Sequence, residues 1–446
     1  MFKIHHISNS FISVEAQNSI ITCDPWLGKT NDNGWFSYPI KNYKDVESKI
    51  FNSNFVYISH LHCDHLDFKT LKKFKNKNLT FLIKKFNNGI LKRRLKKFTN
   101  KRIIEIEPFK KKKINKDFTI AIIPQIISNT SDLPDNIGFD LDTSIIIQSN
   151  QNKTILFNNV DTPINLKILK KINSYIKKDF KKNIDIFCCA LGAASEFPQC
   201  FLNINRNKEK NKIINRSLNN LEQYLKYLKP KVFFPAGGAY AIYGKFYELN
   251  KYIAQPKISQ ITKKTNFLKT RICNLIGGGS IKLEKSKYII NEINHEKKKD
   301  FKTKFLNQIK KLSYYYSKKK VNINLKNLDG IFIKAKRNYL KILEHKKIDT
   351  KWNINFKIYK NFELNKNCYI NKKKSKFLKT YRLRNYKQES KNNLKLECYI
   401  EYQLFKSLLD GKFPWNTSLS GSTIMYKRNP NKFNIDMVFS LNFLRT

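Results

Sequence analysis

The chain has 446 residues, 41% of them hydrophobic and 13% aromatic, with 87 Lys and Arg against 34 Asp and Glu and a formal charge of +53. That length accommodates two or three domains with ample apolar content for a core, and no apolar run reaches the roughly 20 residues that a membrane-spanning helix needs. With no signal-peptide pattern at the amino terminus, a cytoplasmic protein is expected.

The opening predicts two β-like runs, Ile4 to Glu15 and Ser19 to Cys23, separated by Ala16, Gln17 and Asn18 and ending at Asp24-Pro25, a hairpin with a sharp stop. His6 and Asp24 then sit where strands enter and leave a sheet. Phe55, Val56, Tyr57 and Ile58 form a short apolar run suited to a buried strand. It ends in His60, His62, Asp64 and His65, three of the chain's seven histidines within six residues. The i, i+2 spacing of the first two suits an extended segment with both imidazoles on one side, and Asp64-His65 fits a turn into a following helix. Imidazole nitrogens and carboxylate oxygens in such a cluster are the usual donors for zinc, and a second ion can share the loop.

Further on, Phe68 to Phe74 and Phe86 to Phe98 have helical spacing, and Leu79 to Ile83, Arg102 to Ile106, Phe118 to Ile123, Ser144 to Gln148 and Thr154 to Phe157 are short apolar strands. Strands interspersed with helices predict an α/β sandwich of sheets covered outside by helices. Asp161 follows a strand end, where it can bridge metals or cap the helix that starts near Pro163; Asp142, before Thr143, has the same two readings. Ile164 to Phe180 and Asn203 to Leu228 contain helices, and the strands Ile184 to Ala190 and Pro230 to Phe234 break at small-residue loops, Gly192-Ala193-Ala194 and Ala236-Gly237-Gly238-Ala239. Past Ile281 the texture turns lysine-dense and glycine-poor, which places a boundary near Lys285 to Lys299 between a domain of residues 1–285 and a basic α+β domain of residues 286–446. His295 and His345 there are isolated and read as surface residues.

The eight cysteines show no C-x-x-C pair, so they read as reduced and buried, and no Rieske motif is present. The lysines are spread from end to end with Asn and Ile. That reads more as compositional bias than as a patch for nucleic acid, anionic lipid or a phosphorylated substrate, and it predicts nonspecific binding to polyanions, nucleic acid included, at low salt.

The motif His60-x-His62-x-Asp64-His65 between a strand and a helix resembles the signature of the metallo-β-lactamase superfamily, which implies an αβ/βα sandwich with a metal site between the sheet edges. HHISNSFISVE, CDPWLGKTNDNGWFSYP, SHLHCDHLDFKTLKKF, ILFNNVDTP, ALGAASEFPQCF, LKPKVFFPAGGAYA and PWNTSLSGSTIMYKRNPNKFNID resemble, in order, the hydrolase-like part of the CMP-N-acetylneuraminate hydroxylase family. The resemblance implies His60, His62, Asp64 and His65 as metal ligands, Asp161 as a bridging carboxylate, Asp24 as a group behind the ligands, and His6 and Asp142 as near-site groups on the substrate side. It implies one or two divalent ions, zinc or alternatively iron or manganese.

The chain departs from the superfamily pattern in having no histidine between His65 and His295. Either Asp142 stands in for part of the missing donor set or the site holds a single ion. The expectation is a metal-dependent hydrolase, with Asp64 as the catalytic group that orients or deprotonates water, acting on an anionic sugar- or nucleotide-linked substrate. The alternative is a non-hydrolytic nucleotide-sugar-binding subunit that works beside a separate Rieske protein; a nuclease is a third reading.

Overall fold

The computed structural model describes residues 2–30, 33–38, 44–126, 142–293, 299–317, 322–348, 351–383 and 394–446. In chain order the strands are β1 Phe2–Ser8, β2 Phe11–Ala16, β3 Ser19–Cys23, β4 Trp35–Ser37, β5 Phe55–Tyr57, β6 Thr80–Lys84, β7 Arg102–Ile106, β8 Lys112–Lys113, β9 Phe118–Pro124, β10 Thr143–Ser149, β11 Ile155–Asn158, β12 Ile186–Cys189, β13 Val232–Pro235, β14 Tyr240–Ile242, β15 Arg271–Ile272, β16 Gly279–Glu284, β17 Lys287–Asn291, β18 Asn353–Tyr359, β19 Phe377–Leu383, β20 Lys395–Glu401 and β21 Met425–Asn429. One sheet has the order β17-β16-β1-β2-β3-β5-β6-β7 and a second the order β15-β13-β12-β11-β10-β9-β8.

In each sheet one half is antiparallel and the other parallel: β3, β5, β6 and β7 run parallel in the first, and β11, β12, β13 and β15 in the second. Parallel neighbours need crossovers, and those crossovers place helices on the outer faces. Helices Phe68–Leu71 and Ile90–Phe98 cover the first sheet, where Leu71, Leu91 and Leu95 pack on Val56 and Phe81. Helices Leu166–Phe180 and Arg206–Leu228 cover the second, where Leu169, Ile172, Leu221 and Leu225 meet Phe157, Phe187 and Phe233. The inner faces meet each other through Ile4, Val14, Ile21, Tyr57, Ile122, Ile147 and Leu156. A strand such as β10 is apolar on both faces because Ile145 and Ile147 point to the inner core and Ile146 to the helices. The architecture is the metallo-β-lactamase-like αβ/βα sandwich.

The opening differs from the predicted hairpin. The run Ile4 to Glu15 is two strands, broken at Asn9, whose backbone takes φ +42°. Asparagine tolerates the left-handed region better than most residues, and the chain turns there into a three-strand meander. At the other end of the domain, β17 pairs with β16, so the first sheet continues through Asn291. His345 is exposed, and His295 lies outside the described residues. The cysteines are free, and all but the half-buried Cys63 are buried.

The C-terminal segment forms a sheet of order β19-β18-β20-β21 packed by helices Leu325–His345, Tyr402–Leu409 and Trp415–Ser420 around Phe356, Phe405 and Trp415. Leu394 to Leu409, amphipathic in sequence, changes from strand to helix at Tyr402. Among the links that fasten this segment to the sandwich are hydrogen bonds at Tyr426 and at Gly421-Ser422. The Leu202 amide donates to the Tyr426 carbonyl at 2.8 Å, and the Tyr426 amide to that of Cys200 at 2.9 Å. The Gly34 amide donates to the Gly421 carbonyl at 2.7 Å, and Trp35 Nε1 to Ser422 Oγ at 3.2 Å.

A Cβ on Gly421 would strike the Asn33 side chain and lie 2.6 Å from the Thr417 carbonyl oxygen. Gly421→Ala is therefore expected to lower stability by about 1–3 kcal/mol, read as a reduced Tm. Gly330, inside helix Leu325–His345, has open space around it. Gly330→Ala is expected to raise stability by about 0.5–1 kcal/mol.

Candidate metal centre

The site forms where the two sheets open at the carboxyl ends of β3, β5 and β11. Asp24, just past β3 at φ +43°, is fully buried behind it. Its Oδ1 accepts the Ser59 amide at 2.8 Å, and its Oδ2 accepts Ser59 Oγ at 2.7 Å and faces His65 Nδ1 at 3.0 Å. Thr143 Oγ1 donates to the Ser59 carbonyl at 2.8 Å, tying the second sheet to the same turn. Asp67 ends the motif as a helix cap, accepting the amides of Lys69 and Thr70.

His65 turns its Nε2 toward Asp161 Oδ2 at 3.1 Å and Asp64 Oδ2 at 3.4 Å. His60 Nε2 lies 2.8 Å from His62 Nδ1 and 3.5 Å from Asp142 Oδ1. Two donor groups result, His60 with His65 and Asp161, and His60 with His62 and Asp142, each with its ligand atoms within 4.8 Å of one another. His60 is common to both. Asp142, expected on the substrate side, thus stands within the donor cluster. Asp161 is not the cap of the next helix; Asn165 fills that role, accepting the Ile168 amide at 2.9 Å.

His6, expected to face substrate, is fully buried beneath the cluster because β1 runs through the middle of its sheet. Its Nε2 lies 2.7 Å from the Asn9 carbonyl and its ring tilts against Phe234. Asn9 is the functional neighbour that sequence reasoning missed. Its Nδ2 donates to Asp64 Oδ2 at 3.2 Å, while its Oδ1 accepts the Ala239 amide and its carbonyl the Gly237 amide, both at 3.0 Å. Asn9 lies inside the run Ile4 to Glu15, and the polar triplet Ser8-Asn9-Ser10, a turn composition, was the available signal.

The Ala236-to-Ala239 loop approaches closely. At Gly237, φ +103°, a Cβ would lie 2.7 Å from Asp161 Oδ1 and 2.8 Å from Ala190 Cβ, so only glycine fits. That Asp161 Oδ1 is buried and has no hydrogen-bond partner among the described residues.

Electrostatics match a cation site. Burial holds His60 down to about 4, which keeps it a neutral donor. Burial would also lower His65, but Asp64, Asp161 and Asp24 outweigh it and raise its pKa well above the ordinary value. Burial raises Asp64 and Asp161, yet His65 beside them brings both below the usual carboxylate range. Ionised carboxylates, a neutral imidazole and an orphaned carboxylate oxygen converging on one spot fit a divalent ion.

A cavity of about 260 Å³ opens from the cluster, lined by His62, Asp64 and Asp161 on one side and by residues of the C-terminal domain on the other. The sandwich and the histidine motif define a metallo-β-lactamase-fold protein with a His/Asp cluster that could hold a metal ion.

No family model matches the chain. The cytidine monophosphate-N-acetylneuraminic acid hydroxylase of Xenopus laevis is 24% identical over 276 residues, covering 60% of this chain and 42% of that protein. The same enzyme of Danio rerio is 23% identical, covering 60% and 43%. A Mycolicibacterium smegmatis protein named for a Rieske 2Fe-2S cluster is 27% identical over 81 residues, 18% of this chain and 15% of its own. The chain thus spans less than half the length of these relatives. Among solved structures, Igni18, a metallo hydrolase of Ignicoccus hospitalis, covers 66% of this chain and 99% of its own at 14% identity and a TM-score of 0.41. The diiron β-hydroxylase CmlA of Streptomyces venezuelae covers 63% and 54% at 12% identity and a TM-score of 0.43.

Because Asp64, Asp161 and Asp24 favour the protonated form of His65, an ion bound at its Nε2 is expected to displace a proton. Calorimetric zinc titrations in buffers of different ionisation enthalpy at pH 7 are expected to show release of about one proton per ion, with affinity weakening as pH falls. No proton release would contradict the charge state assigned to His65.

Proposed function

We propose that the chain is a metal-dependent hydrolase of a small anionic substrate, with its reaction centre at the cluster of His60, His62, Asp64, His65, Asp142 and Asp161. The observation that carries this reading is the pair of His/Asp donor groups that share His60, with His62, Asp64 and Asp161 in the wall of a cavity. Zinc, iron or manganese, as one or two ions, would be held by His60, His62, His65, Asp161 and Asp142. Such an ion supplies Lewis acidity, which makes water a nucleophile near neutral pH and polarises the bond to be cut.

The chain's own groups do the rest. Asp64, ionised and fixed by Asn9 Nδ2, faces the cavity, where it orients the attacking water and takes its proton. Asp24 fixes the ring of His65 through Nδ1, which leaves Nε2 directed at Asp161. Gly237 keeps the Asp161 side free of bulk. The sugar- or nucleotide-linked substrate expected from sequence narrows here to a small anion, because Arg428 is the one lysine or arginine lining the cavity among the described residues.

A second reading is motivated by the relatives. A chain similar to nucleotide-sugar hydroxylases and to a Rieske-named protein would bind a nucleotide sugar while a separate Rieske protein performs redox chemistry. Binding of CMP at micromolar concentration without any hydrolysis, plus co-purification of an iron–sulfur protein, is the outcome that would favour it.

Elemental analysis of the purified protein is expected to find about one to two divalent ions per chain. His60→Ala and Asp161→Ala should remove most of that metal and cut hydrolysis of activated esters by at least about a hundredfold. Only traces of metal, unchanged by both substitutions, would end the hydrolase reading.

A further inference from the structure

The cavity beside the cluster is a composite of two domains, and its chemistry narrows the ligand further. Arg428, on β21, is only 6% exposed and lines it. The residue is pinned from both sides, its amide donating to Asn203 Oδ1 at 3.4 Å and its carbonyl accepting Asn203 Nδ2 at 3.0 Å. Its guanidinium lies over the Phe201 ring, 4.7 Å from the centroid, and Nη2 donates to Asn431 Oδ1 at 3.0 Å. Nε is buried with no partner among the described residues.

Glu196 lines the same cavity and forms no ion pair with Arg428 among the described residues; burial pushes its pKa up, and the Arg428 charge nearby offsets part of that rise. A buried guanidinium with an unpartnered Nε and no ion pair among the described residues is relieved by a ligand that brings a carboxylate into contact with it. The surrounding wall is apolar, built from Trp35, Phe201, Leu419, Met437 and Leu441, and the rim carries Phe433, 63% exposed. On so lysine-rich a chain, a polyanion pocket would be expected to recruit several cations; this one holds a single arginine in an oily wall.

We propose that this cavity binds a compact amphipathic acid, its carboxylate on Arg428, its apolar body between Phe201, Met437 and Leu441, and its opposite end toward His62 and Asp64. One guanidinium balances one negative charge, which favours a carboxylate over a phosphate dianion. The cavity's size, at the small end of ligand pockets, fits such a molecule and does not enclose a nucleotide joined to a sugar. The orientation toward the cluster rests on the hydrolase reading; the binding does not.

The test is calorimetric titration of the full chain with decanoate, decanol and CMP. Decanoate is expected to bind at least tenfold more tightly than decanol, and Arg428→Gln to remove that preference. His60→Ala should lose metal yet keep decanoate affinity, which separates failure of this proposal from failure of the metal reading. Should Arg428→Gln fail to fold, Phe433→Asp at the exposed rim must still weaken decanoate at least threefold. Equal affinity for decanoate and decanol, decanoate affinity unchanged by Phe433→Asp, loss of decanoate binding in His60→Ala, or CMP binding more tightly than decanoate would each overturn the proposal.

Discussion

Everything at this centre depends on keeping three carboxylates and two imidazoles together in a buried space. Asp24, Asp64 and Asp161 surround His65, which answers them with a proton held well above its ordinary pKa. Like charges at such distances in a poorly solvated site repel strongly unless a cation sits among them. The carboxylates favour the protonated form of His65, which supplies one positive charge, and the His/Asp cluster could hold a divalent ion in its place. The fold tolerates the concentration of charge because neutral groups brace it: Ser59 and Thr143 around Asp24, and Asn9 between Asp64 and the Ala239 amide.

That bracing draws on both sheets, which explains why the site sits where it does. β3 and β5 bring Asp24 and the histidine loop from one sheet, and β10 and β11 bring Asp142, Thr143 and Asp161 from the other. The inner apolar core, filled by isoleucines and phenylalanines from both faces, fixes the spacing between them. A shift of one residue in either register would turn a candidate donor toward the core, so packing far from the cluster sets the geometry within it. The C-terminal domain adds the far wall and is held to the sandwich by backbone hydrogen bonds at Gly421 and Tyr426.

The charge of the chain and the chemistry of its cavity point in different directions. Lysines dominate the sequence, but those with ion-pair partners sit on the outside, as with Lys85 to Glu107 and Lys212 to Glu209. Such exposed pairs contribute little to stability and are weakened by salt. The cavity holds Arg428 and apolar side chains instead. Surface charge therefore says little about the ligand, and the buried arginine says more.

The histidine motif was fully legible in the sequence, because spacing within one loop needs only local geometry: His60 and His62 two apart on an extended segment, then Asp64 and His65 at a turn. The helix-covered sandwich was legible too, since strands such as β10 that are apolar on both faces imply a layer on each side. The roles of isolated residues were not. His6 was read as a near-site group and Asp142 as a cap, a near-site group or a stand-in ligand; the structure buries His6 and sets Asp142 among the candidate donors, because which side of a sheet a residue faces depends on its partner strands. Asn9 braces the catalytic candidate Asp64 from 55 positions away, and Arg428 enters the cavity from another domain. Sequence by itself determined that His60, His62, Asp64 and His65 lie together on one loop, which needs only local geometry. Only tertiary structure decided what meets them across the chain, since such contacts are set by sheet register and core packing, which leave no periodic trace at a single residue.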